Sequence, residues 1–271
     1  MIRFAGSRVA ILAAAAVLAS PVWAQNSADP FEPISVDLPG RLELHRPNYV
    51  MPLTWTDESE GSEDVELNFQ ISLRHQVGDT PFYLAYTQES YLRWLDEENS
   101  RPFREINYSP EAWYRFRPGR LPMDWLGLDV GWEHESNGGA VGESRSWDRV
   151  YLRPWYEQGH WRGHLKLWYR IPEDEKDGSE DPTGDDNPEI LDYYGHHELR
   201  LEYLFTGGSR LSMTTRYAFS ENRGALQLQY AWPTPTRESY FFTQLFTGYG
   251  ESLETFKSNR TRIGIGFALL R

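Results

Sequence analysis

Apolar and polar residues alternate along most of the chain from about residue 42 onward. In the segment VELNFQISL at 65–73, every odd-numbered position is apolar and every even-numbered position is polar. The segments 198–205 and 226–232 repeat this pattern, and 263–269 repeats it with small residues between the apolar ones. Successive side chains of a strand point to opposite faces, so this period of two predicts β-strands, and no long stretch has helical spacing.

Twelve strands are predicted in this way, with boundaries that carry an error of a few residues. They lie at about 44–56, 63–76, 82–94, 106–117, 126–136, 147–157, 163–171, 193–205, 210–219, 224–232, 238–248 and 260–270. Short connections rich in Gly, Pro or Asp largely alternate with longer polar ones, of which 171–192 is the longest. This asymmetry is typical of an up-and-down barrel in an outer membrane, with short periplasmic turns and long outer loops.

Composition supports a membrane barrel. The chain is polar on average, with a mean hydropathy of −0.64, yet it carries 11 Trp, 16 Tyr and 13 Phe. Aromatic residues form belts on the outer face of membrane barrels. The open alternative is a soluble β-sandwich or lipocalin-like barrel, in which the apolar side of each strand faces the interior, and alternation alone does not separate the two. The last residues, FALLR, lack the terminal aromatic residue that such barrels often have.

The first residues have the features of a secretory signal. Arg3 and Arg8 precede a short apolar run, and VWA at 22–24 is a small-x-small cleavage site. We therefore expect residues 1–24 to be a signal peptide, 25–41 to be a flexible periplasmic tail, and 42–271 to form the barrel. The absence of cysteine excludes a disulfide scaffold, and the net charge of −13 argues against nucleic acid as a partner.

Candidate chemistry lies in the predicted strand 126–136. Trp132, His134 and Ser136 share its apolar, lipid-facing side, whereas Glu133 and Glu135 share the opposite side. A hairpin centred near residue 141 would place Asp148 of the next strand, also on its apolar face, across from His134. Ser136 would then be a nucleophile, His134 its base and Asp148 the group that orients the imidazole. A site that faces lipid implies a lipid substrate.

His-x-Ser alone is a weak motif, but the surrounding residues carry a resemblance. EHESNGG at 133–139 and SRSWDR at 144–149 resemble the outer-membrane phospholipase A family of Gram-negative bacteria, whose pattern is His-x-Ser-Asn-Gly followed by Ser-Arg-Ser-Trp-Asn-Arg. The stretches YTQES, PFREINY, DDNP and GYGESL match as well. The resemblance covers nearly the whole expected mature chain.

The resemblance implies a twelve-stranded, all-β outer-membrane barrel that hydrolyses acyl esters of phospholipids, with phospholipase A1, phospholipase A2 and lysophospholipase activities. It implies calcium as cofactor, a homodimer as the active form, and a site toward the outer leaflet. It makes Ser136 the nucleophile and His134 the base. Asp148 stands where the family has asparagine, and a carboxylate is the usual orienting group for a catalytic histidine.

Further roles are also implied by the resemblance alone. Calcium would be held by the Ser144 hydroxyl, the Gly139 carbonyl and a carbonyl matching Ser100 of the partner subunit, with Asp186 near a calcium site. Family members often have arginine at the position of Gly139. The Gly138 N–H would contribute to the oxyanion hole with a calcium-polarised water, and Gln88 matches a polar residue of the dimer interface.

Each of these residues also has a plainer interpretation. Ser144 would otherwise be an ordinary loop serine, Asp186 a member of the solvated acidic run 173–189, and Gln88 a polar residue at a strand end. For the whole chain, one alternative is a non-enzymatic barrel, either a small pore or a structural protein. Another is a soluble secreted serine hydrolase, which would lack the usual Gly-x-Ser-x-Gly turn.

Overall fold

The computed structural model describes residues 42–57, 65–95, 103–140, 142–178 and 184–270, and these form thirteen β-strands and one short helix. The strands are β1 (Leu42–Leu44), β2 (Asn48–Thr56), β3 (Glu66–Gln76), β4 (Phe82–Leu92), β5 (Phe103–Phe116), β6 (Gly127–Ser136), β7 (Ser146–Gln158), β8 (Trp161–Arg170), β9 (His197–Leu204), β10 (Arg210–Ala218), β11 (Arg223–Pro233), β12 (Tyr240–Gly248) and β13 (Arg260–Leu269). The helix is α1 (Leu191–Tyr194). The expected signal peptide, the expected tail and Ser100 lie outside the described residues.

Strands β2 to β13 form a closed twelve-stranded antiparallel barrel. Each pairs with its neighbour in sequence, and β13 pairs with β2, for example Ile263 with Trp55. β1 continues the line of β2 along β3, because Leu44 pairs with Leu73 while Val50 pairs with Phe69. The predicted fold class and strand number are therefore confirmed, with bounds within a few residues of the predicted ones.

The first predicted strand, 44–56, is divided at residues 45–47. Pro47 has no N–H to donate to the ladder, and a proline inside a strand is tolerated at such irregularities. The break turns two side chains toward the lumen. His45 Nε2 contacts Glu111 Oε2 at 2.9 Å, and Arg46 Nη2 donates to Glu133 Oε1 at 2.6 Å. The sequence pattern did not predict this division.

The apolar faces of the strands point outward. On β7, Val150 and Leu152 are 44% and 49% exposed, whereas Arg149, Tyr151 and Arg153 between and beside them are buried. Large exposed apolar side chains recur around the barrel, and the interior holds paired charges such as Glu111 with Arg153. A soluble sandwich or lipocalin-like barrel requires the reverse arrangement. No helix in the described residues is long and apolar enough to cross a membrane.

The two longest described loops pack over the loop end of the barrel. Helix α1 lies in the connection from β8 to β9, and the segment 249–259 connects β12 to β13. Tyr194 of α1 packs edge-on against Trp147, and Leu253 and Phe256 belong to the same buried cluster. Residues 191–194 were predicted as loop and the start of a strand, but the helix ends at Gly195, whose φ of 64° favours glycine. We call α1 with 249–259 the cap.

Candidate active site

The hairpin of β6 and β7 places the three proposed catalytic residues on the outer face. His134 pairs directly with Asp148, and Ser136 pairs with Ser146. This is the register expected from the sequence. His134, Ser136 and Asp148 continue the outward rows of apolar side chains formed by Trp132 on β6 and Val150 on β7. All three lie where the strands meet the long connection 137–145.

His134 and Asp148 are in direct contact. His134 Nδ1 lies 3.2 Å from Asp148 Oδ2, and both side chains are 30% exposed. A carboxylate accepts, so this contact assigns the proton of the neutral ring to Nδ1 and leaves Nε2 as the base. The Trp132 ring stacks against the imidazole with centroids 6.4 Å apart. The ring is therefore oriented from two sides.

Ser136 completes the outward row of the three side chains. Among the described residues, its hydroxyl has no hydrogen bond to His134. Hydrogen bonds between a nucleophile and its base are often long before substrate binds, so this arrangement is compatible with Ser136 as the nucleophile. Across β5, Ser136 pairs with Tyr108, and Tyr108 pairs with Gln88 on β4. Gln88 thus lies on the same outward row as Ser136, about 10 Å away at two strand spacings.

On the lumen side, directly behind the His134–Asp148 pair, Arg149 bridges Glu133 and Glu135. We call these three residues the clamp. Arg149 Nε donates to Glu133 Oε2 at 2.8 Å, and Arg149 Nη1 donates to Glu135 Oε2 at 3.1 Å. Lys166 forms a second ion pair with Glu133. The alternation predicted that Glu133 and Glu135 turn inward, which the structure confirms, but it gave no sign of their partners. The clamp ties β6 to β7 at the level of the site.

The connection 137–145 is organised by the Asn137 side chain. Its Oδ1 accepts from Gly139 N at 3.1 Å and from Arg145 N at 2.8 Å. Gly138 has a φ of 60°, and no group of the described residues accepts its N–H. At Gly139, a Cβ would lie 2.8 Å from the Glu143 carbonyl oxygen, so this course of the loop requires glycine. A larger side chain such as arginine could not stand here without a rearrangement of the loop.

Ser144 and Asp186 meet beside this loop. Ser144 Oγ donates to Asp186 Oδ2 at 2.8 Å, and Lys176 forms an ion pair with the other carboxylate oxygen. No group of three or more His, Cys, Asp or Glu side chains in the described part of the chain is arranged to hold a metal. Any calcium site here would use a hydroxyl, backbone carbonyls and one carboxylate. Hard oxygen donors of this kind are the ligands that calcium prefers, so the donor set fits.

Glu173 is a further acidic residue in the connection from β8 to β9, which also carries Asp186. Its Oε1 is buried and has no hydrogen-bond partner among the described residues, with Arg170 Nη2 3.8 Å away. Burial raises the pKa of the Glu173 carboxyl above its usual value, nearby Asp185 adds to the increase, and Arg170 opposes it. Ionised Glu173 is therefore disfavoured by its surroundings.

Comparisons with known proteins agree with this geometry. A sequence model of the family described as Phospholipase A1 matches residues 32–269. Phospholipase A1 of Klebsiella pneumoniae is 32% identical over 252 residues, which cover 86% of this chain and 84% of that protein. Phospholipase A1 of Escherichia coli K12 is 34% identical over 221 residues, which cover 79% of this chain and 72% of that protein.

Solved structures match in fold and sequence. Outer membrane phospholipase A from Escherichia coli superposes with a TM-score of 0.73 at 29% identity, covering 84% of this chain and 98% of that one. The calcium-bound outer membrane phospholipase dimer of Salmonella typhi superposes with a TM-score of 0.74 at 28% identity, covering 86% of this chain and 93% of that one.

Proposed function

From the premise that the chain belongs to the phospholipase A1 family, we propose that it is a calcium-dependent outer-membrane phospholipase whose triad is Ser136, His134 and Asp148. The observation that carries the proposal is the contact between His134 and Asp148 on the outward, apolar face of the barrel. A polar pair on a lipid-facing surface is energetically costly, and catalysis on a lipid substrate accounts for its presence there.

The chemistry follows from the positions of the three side chains. Ser136 Oγ attacks the acyl carbonyl of a phospholipid while His134 Nε2 takes its proton, and Asp148 stabilises the imidazolium that forms. The histidine then returns the proton to the leaving alkoxide, and water hydrolyses the acyl-enzyme. The products are a fatty acid and a lysophospholipid. Phospholipase A2 and lysophospholipase activities would use the same steps on the other acyl position.

Stabilisation of the oxyanion would come from the loop. The Gly138 N–H, which has no acceptor among the described residues, would donate to the oxyanion of the tetrahedral intermediate. Ser144, the Gly139 carbonyl and Asp186 would hold calcium, with the Ser100 carbonyl of the partner subunit completing the ligands. Calcium held by these residues would supply positive charge that stabilises the oxyanion.

The proposed active form is a homodimer in the outer membrane. The related Salmonella typhi structure is a dimer with bound calcium. In this chain Gln88 lies on the outward face in the same row as Ser136, and its Nε2 donates to Ser90 Oγ at 3.1 Å. A partner packed against β4 would therefore lie close to the site. We place the site at the loop end of the barrel, toward the outer leaflet.

One experiment tests catalysis, calcium and dimer together. Wild-type protein and Ser136→Ala are purified in detergent, and phospholipid hydrolysis and chemical crosslinking are followed as calcium is added. We expect Ser136→Ala to lose at least about a thousandfold in kcat while keeping the barrel and the crosslinked dimer. Hydrolysis by wild type should rise with calcium along with the dimer and stop on chelation. Undiminished hydrolysis by Ser136→Ala would refute the serine assignment.

A further inference from the structure

Beside the site, the edge of β7 that faces β8 has no strand partner. β7 pairs with β8 as far as Arg149 with Arg170, and the last backbone contact is Ile171 N donating to the Asp148 carbonyl at 2.8 Å. β8 has ended there, and the chain leaves the sheet. Further along this edge, beyond the end of β8, lies the backbone N–H of Ser146. It is satisfied by a side chain, since it donates to Asn187 Oδ1 at 3.2 Å.

Asn187 is itself held from three directions. Its backbone N–H donates to Asp185 Oδ1 at 2.9 Å, and its carbonyl accepts from Arg170 Nη1 at 3.2 Å. Arg170 Nη2 also reaches Asp185 Oδ1 at 2.5 Å, and Ile190 N donates to the Asn187 carbonyl at 3.0 Å. Asn187 is 1% exposed. The backbone of Asn187 is thus fixed to the last residue of β8 and to Ile190, the residue before α1.

We propose that Asn187 is a positioning residue for the site, a role that rests on the proposed function. Its Oδ1 takes the place of the missing strand at Ser146, which lies two residues from both Asp148 and Ser144. Asp186, its neighbour, accepts from Ser144. Residues 186 and 187 therefore attach the start of β7 at two points. They hold Asp148 opposite His134, and they hold Ser144 in place as one of the proposed calcium ligands.

The Nδ2 group of the Asn187 side chain separates a positioning role from a role in packing. Asn187 Nδ2 is buried and has no hydrogen-bond partner among the described residues. A buried donor without an acceptor costs stability, so a leucine of similar size would relieve that cost while removing the acceptor for Ser146. What asparagine adds here is the Oδ1 acceptor.

The test compares Asn187→Leu, which removes the acceptor, with Asn187→Asp, which keeps an oxygen at the same place. Asn48→Leu is the matched control, because Asn48 Oδ1 accepts from Ser72 N at 2.8 Å on a strand remote from the site. The readouts are kcat and KM for phospholipid, and hydrogen exchange of the peptide that covers 144–148. Hydrogen exchange reports on the attachment of β7 whether or not Ser136 is catalytic.

We expect Asn187→Leu to lower kcat about ten- to a hundredfold with KM little changed, since small misplacements of catalytic groups have effects of this size. It should also speed exchange at 144–148, and Asn187→Asp should restore both. Asn48→Leu should change neither. The proposal is overturned if Asn187→Leu leaves exchange at 144–148 unchanged, if Asn187→Asp fails to restore it, or if Asn48→Leu lowers kcat equally. A failure of the proposed function would instead show as Ser136→Ala remaining active.

Discussion

Asp148 contacts His134 through one carboxylate oxygen, at a position where the family resemblance places asparagine. An asparagine Oδ1 in the same rotamer would also accept from His134 Nδ1, whereas an apolar side chain would leave the ring unoriented. If His134 is the base, this position would need a hydrogen-bond acceptor but not a negative charge.

We accordingly expect Asp148→Asn to keep kcat within about tenfold of wild type, and Asp148→Leu to lose at least about a hundredfold, the range that general base catalysis contributes. Phospholipid hydrolysis at saturating calcium measures both. Equal losses in the two variants would show that the carboxylate charge itself is needed.

Glu173 predicts a pH dependence of stability. Because burial and Asp185 raise the pKa of this carboxyl in the folded protein, the folded state holds the proton more tightly than the unfolded chain does. The stabilising effect is therefore complete below the ordinary glutamate pKa of about 4.3 and is lost as pH rises through the raised folded-state value.

Replacing Glu173 by the neutral Gln should consequently raise the unfolding temperature in detergent at pH 7 and change it little at pH 4. Glu175→Gln, at an exposed position two residues away, is the control and should change neither. A stabilisation by Glu173→Gln that is the same at both pH values would contradict the electrostatic cause.

At the scale of strands, Arg149 joins β6 to β7 behind the site. It is 8% exposed and bridges Glu133 and Glu135, so its removal leaves buried carboxylates short of a partner. Breaking a buried ion pair typically costs about 3–5 kcal/mol. We expect Arg149→Met to lose stability of that order and also to lower kcat, because the two strands carry His134 and Asp148.

Arg153→Met provides the comparison. Arg153 makes a similar bridge, to Asp129 and Glu111, four residues further along β7 and about 13 Å from the clamp. It should destabilise the barrel to a similar extent but leave kcat of the remaining folded protein unchanged. Unfolding in urea and kinetics of the folded fraction separate the two effects. If both variants lower kcat alike, the clamp has no special connection to the site.

The strands also show what the sequence could and could not predict. Alternation on 126–136 was enough to place His134 and Ser136 outward and Glu133 inward, because a strand has only two faces. The register with Asp148 followed from the hairpin. Other contacts join residues far apart in sequence: His45 with Glu111 at the division 45–47, Arg46 and Lys166 with Glu133, and Asn187 with Ser146. No local period reports such contacts.

For the whole molecule, the cap belongs to the unpredicted part for the same reason. Its segments have no alternation, and it is held by contacts such as Arg216 Nη2 donating to the Gly250 carbonyl at 2.6 Å. Its buried members Leu253 and Phe256 lie in a connection that was predicted only as loop. The barrel, by contrast, was predicted from twelve alternating segments joined by connections that are short and long in turn.

The interior of the closed barrel bears on the remaining alternative, a non-enzymatic pore. A cavity of about 740 Å³ lies inside the barrel. Ion pairs cross the lumen beside it, including Arg46 with Glu133 and Lys166 with Glu111. Tyr194 and Leu253 of the cap pack against Trp147 in a buried cluster at the loop end. A water path through the lumen would have to separate several buried charge pairs, each of which is costly to break.

We therefore expect the wild-type protein to show no steady single-channel steps in a planar bilayer, with or without calcium. A porin of larger strand number, reconstituted in the same lipid, is the positive control, because barrels of 16–18 strands enclose an aqueous channel. Phospholipid hydrolysis measured on the same preparation shows that the inserted protein is folded. Steady conductance from a preparation that does not hydrolyse phospholipid would favour the pore. It would mean that the ion pairs across the lumen separate and that the cap moves away from the end of the barrel.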